Sequence, residues 1–278
     1  MNALTSHPST LGRRSVLCQS LDVPRASFYR HLKSLPFKAN PEEELIAKIQ
    51  SIATEWPSYG YRRITAALAR TGFVANRKRV LRLMREENLL CRRKRRYVAT
   101  TDSKHGLAVY SNIKPHVALV RINQLWVADI TYIALPNSFV YLAVVLDAYS
   151  RKAIGWALSA KIDSKLVLAA LNMALAERDA PLFHHSDRGA QYASAEYVSA
   201  LVSRQVQISM SRTGNPYDNA GMESFMKTVK YEAVHVNEYT CLEHARDNIN
   251  HFLAKAYNQK RLHSALGYLT PEEFEQQH

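Results

Sequence analysis

The sequence predicts an α/β domain, a mixed five-stranded sheet flanked by helices, preceded by small all-α units. Three observations carry this expectation. From residue 124 onward, apolar and β-branched stretches at about 125–134, 139–147 and 153–160 follow one another through short connections, then alternate with helix-patterned segments. Before residue 91 the apolar residues recur at helical spacing instead. The formal net charge of +13 is also unevenly placed: residues 1–100 hold 20 Lys or Arg and 7 Asp or Glu, whereas residues 101–278 hold 17 of each. The whole excess lies ahead of the predicted sheet, the electrostatic footprint of a partner with a phosphate backbone.

The 278 residues allow one large domain or two to three smaller ones, and an apolar content of 47% is enough for a globular core. The longest apolar run, Phe139 to Leu146, is a buried strand and too short to span a membrane. The N-terminus has no charged-then-apolar signal pattern, which implies a cytoplasmic location. Cys18, Cys91 and Cys241 are odd in number and far apart, so they form neither a disulfide framework nor a zinc pattern.

Taken in order, residues 1–10 are polar and expected to fray. Two short helices are predicted between Arg13 and Leu32, around Asp22-Val23-Pro24, within a helix-turn-helix unit of residues 10–35. Pro24 suits the first turn of the second helix, where its missing N–H costs nothing. Arg25, Ser27 and Arg30 then fall on the outer face, placed to meet DNA. After a linker at Pro36–Asn40, a second helical unit, also of helix-turn-helix shape, covers 40–96, and its Arg62, Arg63, Arg77, Lys78, Arg79 and Arg82 are expected to contact DNA. Its first helix opens on Pro41-Glu42-Glu43-Glu44, acidic where the helix dipole favours it. A second helix runs from about Tyr61 to Arg70 and carries Arg62 and Arg63 near its start. Asn76 caps a third, with Val80, Leu81, Leu83 and Met84 inward and Arg77, Lys78, Arg79, Arg82 and Arg85 outward. The run Arg92, Arg93, Lys94, Arg95, Arg96 follows and reads as a further DNA contact.

Residues 97–122 read as an extended linker, and the larger domain covers 123–255. Its first three strands should form an antiparallel meander, with Asn137-Ser138 in a tight turn. A helix at 164–178 leads to a strand at 182–186, an arrangement that permits parallel pairing. A helix at 194–204, a strand at Gln207–Met210, a long helix to about Val236 and another at 241–255 complete the order. Residues 256–278 form a tail packing on this core, with a helix start of capping-box spacing at Thr270-Pro271-Glu272-Glu273.

Three carboxylates stand out. Asp129 sits in the apolar strand Leu125-Trp126-Val127-Ala128-Asp129-Ile130-Thr131-Tyr132, where an unpaired charge is costly, so a metal explains it better than a core polar group does. Asp187 ends His184-His185-Ser186-Asp187. Glu223 lies about one turn into the helix that Asn215-Pro216 introduces and that Asp218 or Asn219 can cap, with 35 residues between it and Asp187. Two strand acids and a helix acid suit a two-metal phosphoryl-transfer site, where the ions supply a nucleophile, alignment and charge neutralisation. His185 shares the face of Asp187 and is placed to orient a metal-bound water or a phosphate; His184 points the other way, and Asp147 reads as a turn stabiliser. Arg188 and Gln191 belong to a loop beside the site. Lys227 and Lys230 continue the face of Glu223 and are expected to bind DNA phosphates.

These segments, with His185 to Tyr192, Tyr217-Asp218-Asn219-Ala220, Tyr257-Asn258, Arg261, His263-Ser264 and Leu266-Gly267-Tyr268, resemble the catalytic, second-reading-frame (OrfB) transposases of bacterial insertion sequences, in the retroviral-integrase superfamily. The similarity runs from about residue 10 to the end. It implies a ribonuclease-H-like core in which Asp129 and Asp187 lie side by side. It also implies two Mg²⁺ ions, with Mn²⁺ able to substitute: Asp129 would bridge both, Asp187 would bind one and Glu223 the other. The implied activity is cleavage of double-stranded DNA at the element ends and attack of the freed 3′-hydroxyl on another phosphodiester, by a homo-oligomer at the bacterial nucleoid. In this family an upstream-frame product often adds a helix-turn-helix and a leucine zipper. This chain starts at Met1 without a heptad run, so either such a partner or fusion exists or the chain works as the separate product. Two other readings stay open: a DNA-binding regulator on an inactive core, against which the complete acid triad speaks, and a metal-dependent nuclease without strand transfer.

Overall fold

The computed structural model describes residues 18, 20, 24, 26, 27, 41–91, 108–113, 118–212 and 216–278. The chain divides into two units, Met1–Lys48 and Ile49–His278. In the first, Cys18, Ser20, Ala26 and Ser27 are helical, and the amide of Ser27 donates to the carbonyl of Pro24 at 2.8 Å. Most of the predicted 10–35 helix-turn-helix, including Arg25 and Arg30, lies outside the described residues, as does the Arg92 to Arg96 run.

Helix α1 is Pro41–Glu55, α2 is Tyr61–Arg70 and α3 is Arg77–Glu86. Helix α2 packs on α3 through apolar residues a helical period apart: Ile64 and Leu68 from one, Val80, Leu83 and Met84 from the other, all buried. Asn76 caps α3, its side-chain oxygen accepting from the amide of Lys78 at 2.8 Å. Gly72, at φ 85°, supplies the left-handed residue that ends α2.

The sheet contains β1 (Leu125–Ala134), β2 (Phe139–Asp147), β3 (Ala153–Ser159), β4 (Phe183–Ser186) and β5 (Gln207–Met210), in the order β3-β2-β1-β4-β5. β1, β2 and β3 pair antiparallel; β4 joins β1 in parallel and β5 joins β4 in parallel. The helical connection after β3 therefore carries the chain across the sheet to the far side of β1. This is the ribonuclease-H-like arrangement. One face, through Trp126, Ala128, Ala143 and Val145, packs on α4 (Ser164–Glu177) and α5 (Ala195–Val202). Gly155 lets α4 approach β3 closely, because a Cβ there would collide with the carbonyl of Ala170. The opposite face, through Val127, Ile133, Leu142 and Val144, packs on α6 (Ala220–Val229) and α7 (Leu242–His251).

The long helix expected to run through Glu223 to Val236 is interrupted. A 3₁₀ turn at Pro216–Asn219 precedes α6, and Lys230–Val234 follow as a π-helical turn; Phe252–Lys260 extend α7 in the same way. Such turns re-aim side chains relative to a regular helix, and no residue pattern signals them locally. The last helix, α8 (Pro271–Gln277), has the expected capping box between Thr270 and Glu273. In the 97–122 segment, residues 108–113 have no regular structure, and the amide of Ile113 donates to Ser209 Oγ on β5 at 2.9 Å.

Candidate active site

Val127 on β1 pairs with His185 on β4. Two residues further along stand Asp129, within β1, and Asp187, just past the end of β4, close enough for the Asp187 charge to act on Asp129. The Val127 face of the sheet is the one α6 covers, and Glu223 lies in the first turn of α6. Three acids on separate elements thus converge on one side of the sheet. Asp129 is half-buried, and its Oδ1 accepts from the amide of Ile130 at 2.8 Å. Burial, then the nearby charges of Asp187 and Glu223, push its pKa up to about 7, against the pull of the Ile130 amide and the Lys230 ammonium. Asp187 Oδ1 accepts from the amide of Gly189 at 2.9 Å. A Cβ on Gly189 would sit 3.0 Å from that same oxygen and 2.9 Å from Gln191 Oε1, so glycine lets the loop close on the carboxylate without displacing either side chain.

Glu223 faces Lys227, with Oε2 and Nζ 3.6 Å apart. Among the described residues no three His, Cys, Asp or Glu side chains stand close enough together to hold one metal ion. Lys230 turns its ammonium onto the ring of Tyr132, 4.5 Å from the centroid, and burial lowers its pKa while Asp129 opposes that shift.

The supporting residues take more structural parts than the sequence suggested. His185 is fully buried, and its ring nitrogens meet Ser209 Oγ and Ser211 Oγ, each at 2.9 Å. In this arrangement the ring braces β4 to β5 rather than orienting a water or phosphate. His184 meets the hydroxyl of Tyr197 at 2.9 Å, and burial pushes its pKa down to about 3, so it is neutral. Arg188 Nε donates to the carbonyl of Ser211 at 2.8 Å, tying the Asp187 loop to the end of β5. Gln191 Nε2 reaches the carbonyl of Ile162 at 3.5 Å. Asp147 accepts from the amides of Asn123, Tyr149 and Ser150, which makes it a turn anchor.

Asp218 requires a correction. It does not cap α6, and Asn219, at the cap position, makes no side-chain cap bond either. The Asp218 carboxylate instead accepts from the amide, Nε and Nη2 of Arg212, at 2.9, 3.2 and 3.1 Å, and this pairing holds its pKa down at about 2. An ion pair that closes the loop ahead of α6 outcompetes the local cap.

Two contributors were missed. The hydroxyl of Tyr192 is buried without a hydrogen-bond partner and feels both Asp129 and Asp187; burial is the main cause of its strongly raised pKa. The only signal for it was its place at the end of the His185–Tyr192 motif. Arg151, at φ 61°, lays its guanidinium against Gly221 at the head of α6. Its carbonyl accepts from the hydroxyl of Tyr257 at 3.0 Å, while Asn258 pairs with both the amide and the carbonyl of Ala153. The C-terminal motif thus fastens the turn that supports α6. Of the basic residues, Arg62, Arg77, Lys78, Arg79, Arg82 and Lys227 are exposed, Arg63 and Lys230 are half-buried, and Ser27 is half-buried in a helix.

Models of the integrase core domain match residues 120–216 and 204–271, and a model of an HTH-like domain matches residues 41–97. The chain is 38% identical over 245 residues, 86% of its own length and 97% of the relative's, to the transposase for insertion sequence element IS904 of Lactococcus lactis. It belongs to the insertion-sequence transposases. It is also 36% identical over 268 residues, 94% of this chain and 98% of the other, to the insertion element IS600 uncharacterized 31 kDa protein of Shigella sonnei. With the transposase InsF for insertion sequence IS3A of Escherichia coli it shares 37% identity over 220 residues, covering 78% of this chain and 76% of the other. Among solved structures it is similar to the catalytic core domain of HTLV-2 integrase in complex with magnesium, with a TM-score of 0.44 and 17% identity over 55% of this chain and 96% of that one. Membership of this family makes the chain a transposase of the polynucleotidyl-transferase kind. No helix among the described residues is long and apolar enough to cross a membrane.

Proposed function

We propose that this transposase binds the ends of its insertion sequence, cleaves the DNA there to free a 3′-hydroxyl, and joins that hydroxyl to another phosphodiester. One observation carries the reading: three acids from separate elements share one sheet face, where burial and then the charges of Asp187 and Glu223 raise the proton affinity of Asp129. Such repulsion favours a hard divalent cation, which carboxylate oxygens suit. Asp129, Asp187 and Glu223 would hold two Mg²⁺ ions, or Mn²⁺ in their place. The ions supply an activated oxygen nucleophile and neutralise charge at phosphorus.

The chain's own residues do the positioning. Gly189 and the Arg188–Ser211 contact hold the Asp187 loop. Glu223 gives up Lys227 when it turns to its partner acids, which frees that ammonium for a DNA phosphate. Lys230, held on Tyr132, serves a neighbouring phosphate. The helical units of residues 10–35 and 40–96 grip double-stranded DNA, the 123–255 core carries the chemistry, and the 256–278 tail supports it. The working form is a homo-oligomer on DNA, alone or with an upstream-frame partner.

The test is incubation of the full chain with labelled duplex carrying the element ends and Mg²⁺. The expected products are strands cut at the end and joined species, all lost in Asp129→Asn. Cut strands without joined species would leave a nuclease; no cutting by the wild-type chain would refute the reading.

A further inference from the structure

We propose that a cavity between the Trp56–Gly60 turn and α6 binds a backbone phosphate of the DNA, coupling the grip of the helical unit to the catalytic helix. The proposal rests on the function above and names a contact that function does not require. The cavity has a volume of about 230 Å³ and is lined by Ser58, Arg63, Ser224, Lys227, Thr228 and Tyr231. At its floor lies the ion pair of Glu232 and Arg261, each side chain 4% exposed, with Nε to Oε2 at 2.7 Å and Nη2 to Oε1 at 2.8 Å.

The walls are fixed by contacts between the turn and the core. The hydroxyl of Ser58 donates to Glu232, and the amide of Leu262 donates to the hydroxyl of Tyr59 at 2.8 Å. Trp56 stacks on Tyr59 with ring centroids 5.1 Å apart, and the Arg63 guanidinium lies 5.6 Å from the Tyr59 ring centre. The cavity is therefore built, and the side chains that shape it are not waiting for a ligand to order them.

Its chemistry selects an oxyanion. Arg261 pairs with Glu232 at the floor, while Arg63 and Lys227, the latter 3.6 Å from Glu223, bring positive charge to a lining that also holds the hydroxyls of Ser224 and Tyr231. A guanidinium, an ammonium and hydroxyl groups together match a phosphate oxygen set. The position favours a phosphodiester over a free anion. Lys227 stands one helical turn beyond Glu223 on α6, so the bound phosphate lies beside the acid triad. Cys91, also in the lining, is followed in the chain by Arg92 to Arg96.

The experiment uses the full chain and a labelled duplex of random sequence, with EDTA present so that no chemistry intervenes. Affinity is measured against salt concentration for the wild type, Arg63→Gln and Arg204→Gln, the last an exposed arginine at the end of α5. Arg63→Gln should bind about tenfold more weakly and lower the salt slope by about one, whereas Arg204→Gln should match the wild type. Thr228→Glu, which puts a negative charge into the cavity without touching the Arg63 contacts, should weaken binding likewise, and melting curves confirm that each variant is folded. Equal slopes for Arg63→Gln and Arg204→Gln would overturn the proposal while leaving the transposase reading intact. A thermal shift with inorganic phosphate, lost in Arg63→Gln while the DNA slope stays unchanged, would make the cavity a free-anion site and overturn it too. If the wild type fails to bind DNA at all, both readings fall together.

Discussion

At the residue scale, the question is which acid completes the site. Asp218 and Glu223 are five positions apart, but their surroundings separate them. Asp218 is buried and committed to Arg212, whereas the Glu223 side chain is 42% exposed and pairs with the exposed Lys227. Glu223→Gln should therefore lower Mg²⁺-dependent joining about a thousandfold or more, the scale of losing several kcal/mol of charge stabilisation at the transition state. Asp218→Asn keeps an acceptor for the Arg212 amide and should stay within about tenfold of wild type. Comparing initial joining rates of the two variants decides the matter, and a larger loss in Asp218→Asn would assign the third acid wrongly.

At the element scale, the head of the catalytic helix and its π-helical extension are held by long-range contacts. The Glu232–Arg261 pair joins that extension to the chain leading into the C-terminal motif, and the Ser58 hydroxyl ties the Trp56–Gly60 turn to the same carboxylate. Removing one partner strands a buried charge. Glu232→Ala should cost about 3–5 kcal/mol of stability, whereas the double change Glu232→Leu with Arg261→Met should cost much less, because desolvation of the pair offsets most of its attraction. Denaturant melts of the three proteins test this; equal losses in single and double variants would show that the pair is held for another reason. Arg151 works at the same scale. Its left-handed backbone and its guanidinium on Gly221 join the β2–β3 turn to the start of α6.

At the scale of the whole molecule, charge and proton uptake give two expectations. The basic faces of α2 and α3 expose Arg62, Arg77, Lys78, Arg79 and Arg82, while the acid triad lies elsewhere in the chain. Replacing Arg77, Lys78 and Arg79 with Gln should reduce DNA affinity steeply and lower the salt slope by up to about three. Asp187→Asn should leave that binding unchanged. Parallel titrations by fluorescence anisotropy measure both; a loss of binding in Asp187→Asn equal to that of the triple variant would count against the division of labour. The second expectation concerns pH. His184 is buried neutral with its pKa pushed down to about 3, and His263 is likewise pushed down to about 2, in both cases chiefly by burial. The unfolded chain binds these protons near pH 6.5, so it gains protons first as the pH falls. Stability from each histidine is thus fully present above about pH 6.5 and is lost as the pH drops toward its folded value, at about 1.4 kcal/mol per pH unit per proton. His184→Gln should flatten the fall in melting temperature between pH 6.5 and 5 relative to wild type. The comparison cancels Asp129, whose raised pKa acts with the opposite sign. An identical pH profile in the two proteins would mean that His184 is not buried neutral.

Much of this molecule was legible from local pattern. Helical period gave α1 to α3, an acidic first turn marked the start of α1, Asn76 gave a cap to α3, and apolar β-branched runs gave all five strands, because side-chain period and turn chemistry are properties of neighbouring residues. Asp129 also stood out as a candidate, since a charge inside an apolar strand contrasts with its surroundings, whereas Asp187 and Glu223 were singled out by their spacing and the family resemblance. What the local pattern lacked was knowledge of partners far along the chain. Asp218 looked like a cap until Arg212 claimed it, and His185 looked free to act until Ser209 and Ser211 were found on either side of it. Glu223 seemed to continue a regular helix, yet a 3₁₀ turn and a π-helical turn bracket α6. The sequence by itself determined which residues are able to bear charge in which element. The tertiary structure alone decided which of them meet, because β4 pairs with β1 across the sheet only when helices cover both of its faces and bury the cost of bringing distant carboxylates together.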